Sequence, residues 1–213
     1  MSELNVYEIF KSIQGESSYT GVICSFVRLS KCNLNCLWCD TKYALEEGTA
    51  RSLDQIVNEV KRHNTSVVEV TGGEPLIQED TPILCRRFLD LNYTVLVETN
   101  GSRDISVLPE GCRRIVDVKC PSSGMAGSFL ESNCRFLTPS DELKYVISNR
   151  SDFDWALSHL SERNLQTISK IIFSPNTSML PAAELASMIL ETNAPVRLGI
   201  QLHKVLWGKK RGV

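Results

Sequence analysis

Short apolar runs alternate with segments of helical periodicity along the chain of 213 residues, and this alternation is the feature that most constrains the fold. Strands that are connected through helices form right-handed crossovers, which place the strands parallel to one another in one sheet. The runs predicted as strands are residues 4–10, 22–29, 67–70, 93–97, 115–118, 143–147, 168–173 and 196–201. The sequence therefore predicts an α/β fold with a parallel sheet.

Helix start signals occur between these runs. Ser52-x-x-Gln55 has the spacing of a capping box, as do Ser151 and Asp154 further on, while Pro82 and Pro181 are placed to open two more helices. About six strand–helix units in a chain of this length indicate an incomplete barrel. One domain covering residues 1–213 is expected, because domains typically take ~100 to 200 residues.

Polar and glycine-rich segments follow three of the predicted strands at the points where those strands end. They are Thr71-Gly72-Gly73-Glu74-Pro75, Glu98-Thr99-Asn100-Gly101 and Asp117-Val118-Lys119. Ligands bind at the carboxyl ends of parallel strands, so these segments are expected to meet in one site. The paired glycines would also expose backbone groups that can bind a ligand's amino group.

Three cysteines follow the second predicted strand in a C-x3-C-x2-C spacing. Cys32, Cys36 and Cys39 are too few to close a tetrahedral zinc site or to match the four cysteines of ferredoxin clusters. Such a triplet alone is also typical of half a zinc knuckle, but no second cysteine pair or histidine pair follows it. The spacing favours a 4Fe-4S cluster with one iron left open.

Composition argues against several classes of partner. The formal net charge of −2 and a pI near 6.0 provide no basic surface for a phosphate backbone, so nucleic acid is not expected as a ligand. No apolar stretch approaches the ~20 residues that span a bilayer, and residues 1–5 do not begin a secretory leader. A cytoplasmic protein is expected, in which the eight cysteines are thiols or metal ligands.

The cysteine loop, with the aromatic Trp38 directly before its last cysteine, Cys39, resembles the signature loop of the radical S-adenosylmethionine enzymes. In that family the open iron chelates the methionyl part of S-adenosylmethionine, and a Gly-Gly-Glu-Pro element holds the methionyl amino group. The resemblance therefore implies a 4Fe-4S cluster and S-adenosylmethionine as cofactors, and an electron donor such as flavodoxin or ferredoxin.

Over essentially its whole length the chain also resembles the 7-carboxy-7-deazaguanine synthases. The matching motifs are the Gln14-Gly15-Glu16 loop, Arg28, Asp40-Thr41 after the cysteines, and Gln201-x-His203 near the end. This resemblance implies a partial (β/α)6 barrel and a homodimer that covers its open side. It further implies conversion of 6-carboxy-5,6,7,8-tetrahydropterin, with loss of ammonia, into 7-carboxy-7-deazaguanine on the route to queuosine.

The resemblance also implies roles for individual residues. Substrate-binding residues are expected to be Ile13, Gln14, Gly15, Arg28, Thr71, His203 and Val213. Residues expected to bind S-adenosylmethionine are Trp38, Cys39, Asp40, Gly73, Asp117, Val118 and Lys119. The expected catalytic residues are Glu98 and His203, the cluster ligands are Cys32, Cys36 and Cys39, and Thr41 is expected to bind Mg²⁺.

Some of these residues also have ordinary structural explanations. Arg28 near the end of an apolar strand requires an anion, which the substrate carboxylate or an ion pair at the sheet rim would supply. Thr41 would serve equally as a cap, and His203 as a core imidazole. Two other functions remain open on the cysteine spacing alone, namely an activase of glycyl-radical enzymes and a zinc-stabilised interaction module.

Overall fold

A computed structural model describes residues 2–208, 210 and 212. Within this part of the chain nine strands form one sheet, in the order β3-β1-β2-β4-β5-β6-β7-β8-β9. The strands are β1 (Glu3–Ile13), β2 (Ile23–Leu29), β3 (Thr49–Ser52), β4 (Val67–Gly72), β5 (Thr94–Thr99), β6 (Arg113–Val118), β7 (Glu142–Ile147), β8 (Lys170–Pro175) and β9 (Arg197–Leu198). The α-helices are α1 (Leu53–Arg62), α2 (Thr81–Asp90), α3 (Arg150–Arg163), α4 (Ala182–Thr192) and α5 (Leu202–Trp207).

The run of strands from β2 through β4 to β9 is parallel throughout. The sheet is not closed, because β3 and β9 lie at its two ends without pairing to each other in the described residues. Only short 3-10 turns, and no α-helix, connect β5 to β6 and β6 to β7 in this described part. The predicted α/β fold, an incomplete barrel lacking some helices, is confirmed.

The predicted sheet was wrong at its two ends. β1 runs antiparallel to both β2 and β3, and β3 was not predicted at all. The strand predicted at 196–201 is reduced to Arg197–Leu198, and Leu202–Trp207 form α5, a further helix that the sequence analysis did not predict. Parallel neighbours require a long crossover connection, usually a helix, whereas antiparallel neighbours can be joined by a short loop. No helix lies in the described loop between β1 and β2, so this pair can be antiparallel.

Helix start signals were right for α1 and wrong for α3. At α1 the Ser52 hydroxyl accepts from the Gln55 N–H at 3.3 Å, and the Gln55 side chain accepts from the Ser52 N–H at 2.8 Å. At α3 the cap is Asn149, whose side-chain oxygen accepts from the Asp152 N–H at 2.9 Å. Ser151 lies inside that helix, since asparagine at 149 caps it two residues earlier.

Two apolar cores lie between the sheet and the outer helices. One contains Val70 with Phe88 of α2, and the other contains Tyr145 and Phe173 with Phe153 of α3. A third, smaller cluster consists of Cys24, Phe26, Val67, Leu96 and Ile115. Side chains two residues further along these strands, such as Arg28 and Glu69, lie on the same face and line a cavity. The small cluster is therefore the floor of the partial barrel, and the polar cavity opens above it.

The loop between β1 and β2 crosses the inner face of the sheet. Its first residue, Gln14, bonds to Glu69 of β4, whereas Glu16 and Ser18 bond to Lys144 and Glu142 of β7. The loop thus connects strands from both halves of the open sheet and forms one wall of the interior.

Candidate active site

One cavity of about 630 Å³ lies at the carboxyl ends of the parallel strands. Nearly all of the predicted site residues line it: Ile13, Gln14, Gly15, Arg28, Cys32, Cys36, Trp38, Cys39, Asp40, Thr41, Thr71, Gly73, Glu98, Asp117, Lys119 and His203. The side chain of Val118 instead packs in the outer core with Tyr145. Val213 lies outside the described residues.

Contacts from two neighbouring segments hold the cysteine loop over this cavity. The Leu37 N–H donates to the Ser123 carbonyl at 3.0 Å, and the Trp38 indole N–H donates to the Ser122 carbonyl at 3.1 Å. On the other side, the Asn100 amide lies 3.7 Å from the Cys32 sulfur. The segments that follow β5 and β6 therefore position the loop.

The thiols suit an iron-sulfur cluster better than a single ion. Cys32, Cys36 and Cys39 are free thiols on the cavity wall. Among the described residues, no three histidine, cysteine or acidic side chains converge closely enough to hold one metal ion. Tetrahedral zinc would require its sulfur ligands about 2.3 Å from a common centre, whereas cysteines of a 4Fe-4S cluster bind separate irons. Three thiols on one cavity wall can each bind a separate iron of such a cluster.

Burial and nearby charge affect the reactivity of these thiols. Burial raises the pKa of Cys32 and of Cys36, while the Lys119 ammonium opposes that rise at both sulfurs. A metal must bind the thiolate, so cluster assembly would release protons from this loop.

The two glycines after β4 allow a close approach between segments. A Cβ on Gly73 would lie 2.0 Å from the Lys31 carbonyl oxygen, and one on Gly72, at φ +147°, would lie 2.1 Å from that of Leu29. The Gly73 N–H donates to the Leu29 carbonyl at 3.2 Å. That N–H is therefore used inside the protein, and the glycines are required first for packing against the cysteine loop.

Glu74 of the same segment is a buried structural carboxylate. Its oxygens accept from the Thr99 hydroxyl at 2.7 Å, the Asn100 N–H at 2.6 Å and the Leu76 N–H at 3.0 Å. Burial raises its pKa, and these donors oppose the rise. Glu74 therefore ties the end of β4 to the Asn100 segment that contacts the cysteine loop.

Arg28 has an anionic partner within the chain, as the ion-pair alternative allowed, although the sequence did not identify which residue it would be. Its Nε donates to Glu8 Oε1 at 2.8 Å, and the Arg28 side chain is 13% exposed. The guanidinium carbon lies 5.7 Å from the centre of the Phe10 ring and 5.9 Å from that of Tyr43. Glu8 faces Arg28 because β1 pairs antiparallel with β2, and this was the pairing that the sequence interpretation missed.

Lys144 was also missed, although it lies at the centre of the charges in the cavity. Its ammonium is 2.6 Å from Glu98, 2.7 Å from Glu16 and 3.6 Å from Asp117. Burial alone would lower the pKa of Lys144, but the three carboxylates raise it well above its ordinary value. A lysine within the apolar run Leu143–Ile147 was the available signal, because it predicts a charged group on the inner face.

Two further contacts order the carboxylates on neighbouring strands. The Thr71 hydroxyl donates to Glu98 Oε2 at 3.1 Å, and Lys119 lies 2.9 Å from Asp117. Burial would raise the pKa of Asp117, but Lys119 and Lys144 keep it below the ordinary value. Asp117 is therefore held as a carboxylate beside the cysteine loop.

The C-terminal helix α5 completes the wall opposite the sheet. A Cβ on Gly15 would lie 2.3 Å from Nδ1 of His203, and the Leu202 N–H donates to the Gly15 carbonyl at 2.8 Å. Lys204 bonds to Asp40 at 2.9 Å and helps to lower the pKa of Asp40 to about 2, against the effect of burial. Burial also lowers the pKa of His203, which favours the neutral form of its imidazole.

Thr41 lies on the cavity wall with its hydroxyl 3.6 Å from the Cys39 sulfur. It is the first residue before a short 3-10 turn, Lys42–Leu45, but its side chain makes no capping hydrogen bond there. The hydroxyl is therefore not used as the cap that the sequence offered as an alternative.

A partial barrel with a three-cysteine loop over its polar end defines a class of protein. Residues 27–125 match the Radical SAM superfamily, so the chain is a radical S-adenosylmethionine enzyme, a class that implies a 4Fe-4S cluster and S-adenosylmethionine. It is 42% identical to the 7-carboxy-7-deazaguanine synthase of Koribacter versatilis (96% of this chain, 97% of the relative) and 40% identical to that of Chlorobaculum tepidum (99% and 97%). The chain belongs to the 7-carboxy-7-deazaguanine synthase family.

The solved structures agree on the fold. The crystal structure of QueE from Escherichia coli superposes with a TM-score of 0.77 at 21% identity, covering 94% of this chain and 95% of that one. In the part of the chain that the structure describes, no helix has the length and apolar character needed to cross a membrane.

Proposed function

We propose that this chain converts 6-carboxy-5,6,7,8-tetrahydropterin into 7-carboxy-7-deazaguanine with loss of ammonia, as an enzyme of queuosine and related 7-deazapurine biosynthesis. The observation that carries the proposal is the single cavity that joins the three-cysteine loop to the polar residues of the β1–β2 loop and α5. Nearly full-length similarity to two synthases of that name supports it.

Cys32, Cys36 and Cys39 would hold the cluster, with S-adenosylmethionine along Gly73 and Asp117 to Lys119 and its adenine near Trp38 and Asp40. When bound, these cofactors supply a carbon radical that removes a hydrogen atom from the substrate. The residues around them exclude water, because the cysteine loop, the β1–β2 loop and α5 all pack over the cavity.

The substrate is assigned to the half of the cavity between β2, β4 and α5. The Ile13 to Gly15 segment, Thr71 and His203 would contact the ring of the pterin, and Arg28 would bind its carboxylate. Arg28 can serve only while also paired to Glu8, through the guanidinium N–H groups that its Nε contact does not use. Val213 keeps its proposed place at the substrate, outside the described residues.

Glu98 and His203 are the proposed catalytic pair. Lys144 and Thr71 hold Glu98 with both carboxyl oxygens bonded, which fixes its orientation in the cavity. His203, with its pKa lowered first by burial, is a neutral imidazole that can accept a proton from the substrate. The two groups would therefore act as a fixed carboxylate and a proton acceptor.

Mg²⁺ is the third proposed cofactor, with Thr41 as its protein ligand. A hydroxyl that makes no cap bond is a suitable hard donor for an ion that keeps most of its waters. Thr41→Ala should blunt the stimulation of turnover by added Mg²⁺ while cleavage of S-adenosylmethionine continues. Equal stimulation of the parent and the variant would remove Thr41 from the metal site.

We also propose a cellular location, a domain organisation, an oligomeric state and an electron donor. The eight free cysteines suit a reducing compartment such as the cytoplasm. One domain is proposed because the nine described strands share one sheet. The open edge near β9 and the exposed side chains of Val205 and Leu206 favour a homodimer, and flavodoxin or ferredoxin is proposed as the electron donor.

Anaerobic reconstitution with iron and sulfide, followed by product analysis with the carboxypterin, tests the function directly. Formation of 7-carboxy-7-deazaguanine and ammonia is expected. Cleavage of S-adenosylmethionine without either product would overturn the substrate assignment, and activation of a glycyl-radical protein would favour the activase. A colourless protein that binds zinc stoichiometrically would instead indicate the interaction module.

A further inference from the structure

Five carboxylate side chains line the cavity, and four of them have a lysine partner. Within residues 2–208, 210 and 212, Glu16 and Glu98 pair with Lys144, Asp117 pairs with Lys119, and Asp40 pairs with Lys204. Glu69 is the fifth, and it pairs with the side-chain amide of Gln14. This difference separates Glu69 from every other acid in the cavity.

Glu69 is 2% exposed, and its Oε2 accepts from the Gln14 side chain at 2.5 Å. The titratable groups that face it are Cys24 of β2, Glu98 of β5, Glu16 of the β1–β2 loop and Lys144 of β7. Burial, then the charge of Glu98, raises the pKa of Glu69 to about 8. Lys144 and the Gln14 hydrogen bond oppose this rise without cancelling it, and the Lys144 ammonium bonds to Glu16 and Glu98 instead of Glu69.

We propose that Glu69 is the proton-bearing carboxylic acid of this cavity and donates a hydrogen bond to an acceptor atom of the bound heterocycle. A neutral acid at this position adds no negative charge to a site that must admit an anionic substrate. It also offers an O–H donor, whereas an ionised carboxylate can only accept. The contact to the heterocycle rests on the proposed function, but the protonation of Glu69 does not.

Glu69 also fixes the orientation of Gln14. The Gln14 side-chain oxygen accepts from the Glu16 N–H at 2.5 Å, while its nitrogen donates to Glu69. With both ends of the amide engaged, Gln14 presents one fixed pattern to the cavity. When Glu69 loses its proton, it can no longer donate a hydrogen bond to the heterocycle. Its carboxylate still accepts from the Gln14 side chain, so the orientation of Gln14 does not change.

Ligand binding across pH tests the contact. The dissociation constant of 7-carboxy-7-deazaguanine should be measured anaerobically for the reconstituted parent and for Glu69→Gln, which mimics a permanently neutral acid. Above a midpoint near pH 8, the parent should lose affinity by up to about tenfold per pH unit relative to the variant. Titration of the ligand itself affects both proteins equally, so parallel profiles would overturn the contact.

Stability without substrate tests protonation separately. Between the ordinary pKa of glutamate and about 8, the folded parent holds a proton that the unfolded chain releases, so its stability falls as pH rises through that range. The melting temperature of the parent should therefore fall relative to that of Glu69→Gln up to about pH 8. Infrared spectra of the parent should show a protonated carboxyl band that disappears over the same range and is missing in the variant.

Glu142→Gln is the matched control. Glu142 is another buried carboxyl on β7, and it accepts from Ser18 on the β1–β2 loop. This variant should retain the carboxyl band and the pH slope of the parent. A parent without that band, or with the same slope as Glu69→Gln, would overturn the protonated state. The melting temperatures and infrared spectra could show a protonated Glu69 while 7-carboxy-7-deazaguanine binds to neither protein. In that case the proposed function fails, but the assignment of Glu69 as a protonated acid survives.

Discussion

At the scale of single residues, several charged side chains in the cavity are paired with a residue on another segment. Arg28 of β2 meets Glu8 of β1, and Lys144 of β7 meets Glu98 of β5. Strand pairing brings these residues together, so the sequence could identify the charged residues but not their partners. The exception is the cysteine triplet, whose members are close along the chain and needed no knowledge of pairing.

Alanine at Cys32, Cys36 or Cys39 should abolish cleavage of S-adenosylmethionine, because a cluster held by two thiolates loses its distinct open iron. Reconstituted variants should be assayed for 5'-deoxyadenosine under reductant and for bound iron. Cys134→Ala is the control, since Cys134 is a free, half-buried thiol outside the cavity lining. Parent-like cleavage in any loop variant would contradict the cluster assignment.

Arg28→Met should lower kcat/KM for the carboxypterin by about ten- to a hundred-fold for each charge-assisted hydrogen bond lost. Arg28→Lys should fall between the parent and this variant. The contact also orients the substrate, so part of the loss should appear in kcat. Binding of S-adenosylmethionine and iron content should be unchanged.

The Glu8 partner makes a control necessary, because Arg28→Met also leaves a partly buried carboxylate unpaired. Arg28→Met with Glu8→Gln removes that carboxylate charge. If the double variant regains kcat/KM, the effect of Arg28 is structural and the substrate contact is wrong. A loss of kcat/KM that persists in the double variant supports the contact.

At the scale of elements, central strands were predictable and edge elements were not. β4 to β8 are buried apolar runs followed by polar or glycine-rich turns. This pattern is visible within each segment of the sequence and does not depend on which strands pair. β3 and α5 have few buried side chains, so their conformations depend on what they pack against. The contact of α5 with Gly15 joins segments almost 190 residues apart, and no local signal specifies it.

Gly15→Ala should displace α5, because the added Cβ would lie 2.3 Å from the His203 imidazole. The expected result is a lower melting temperature and a higher KM for the carboxypterin. Trimming His203 to alanine should make room, so the stability cost of Gly15→Ala should be smaller in a His203→Ala background. A double-mutant cycle of melting temperatures measures this coupling, and additive costs would show that the two residues do not meet.

At the scale of the whole molecule, a sheet that does not close encloses its cavity with loops and with charge. The β1–β2 loop reaches β7 through Glu16 and Ser18, and α5 packs on that same loop. Lys144 is the point where the loop, β5 and β6 meet, since its ammonium contacts one carboxylate from each. The cavity therefore depends on a buried cation as well as on the apolar floor.

Lys144→Met should destabilise the protein by about 3 to 5 kcal/mol at neutral pH, because three carboxylates would share the cavity without that cation. Burial raises the pKa of Glu16, but Lys144 more than offsets this and keeps it below its ordinary value. In the variant that pKa would rise, so the deficit should be largest above the unfolded pKa and shrink as pH falls through the range where the carboxylates protonate. Urea unfolding of the parent and the variant between mildly acidic and neutral pH measures the change.

Lys170→Met, at an exposed lysine that bonds to Ser18, is the control and should show a small deficit in unfolding free energy that does not vary with pH. A deficit in Lys144→Met that stays constant across that range would show that Lys144 contributes packing and not charge.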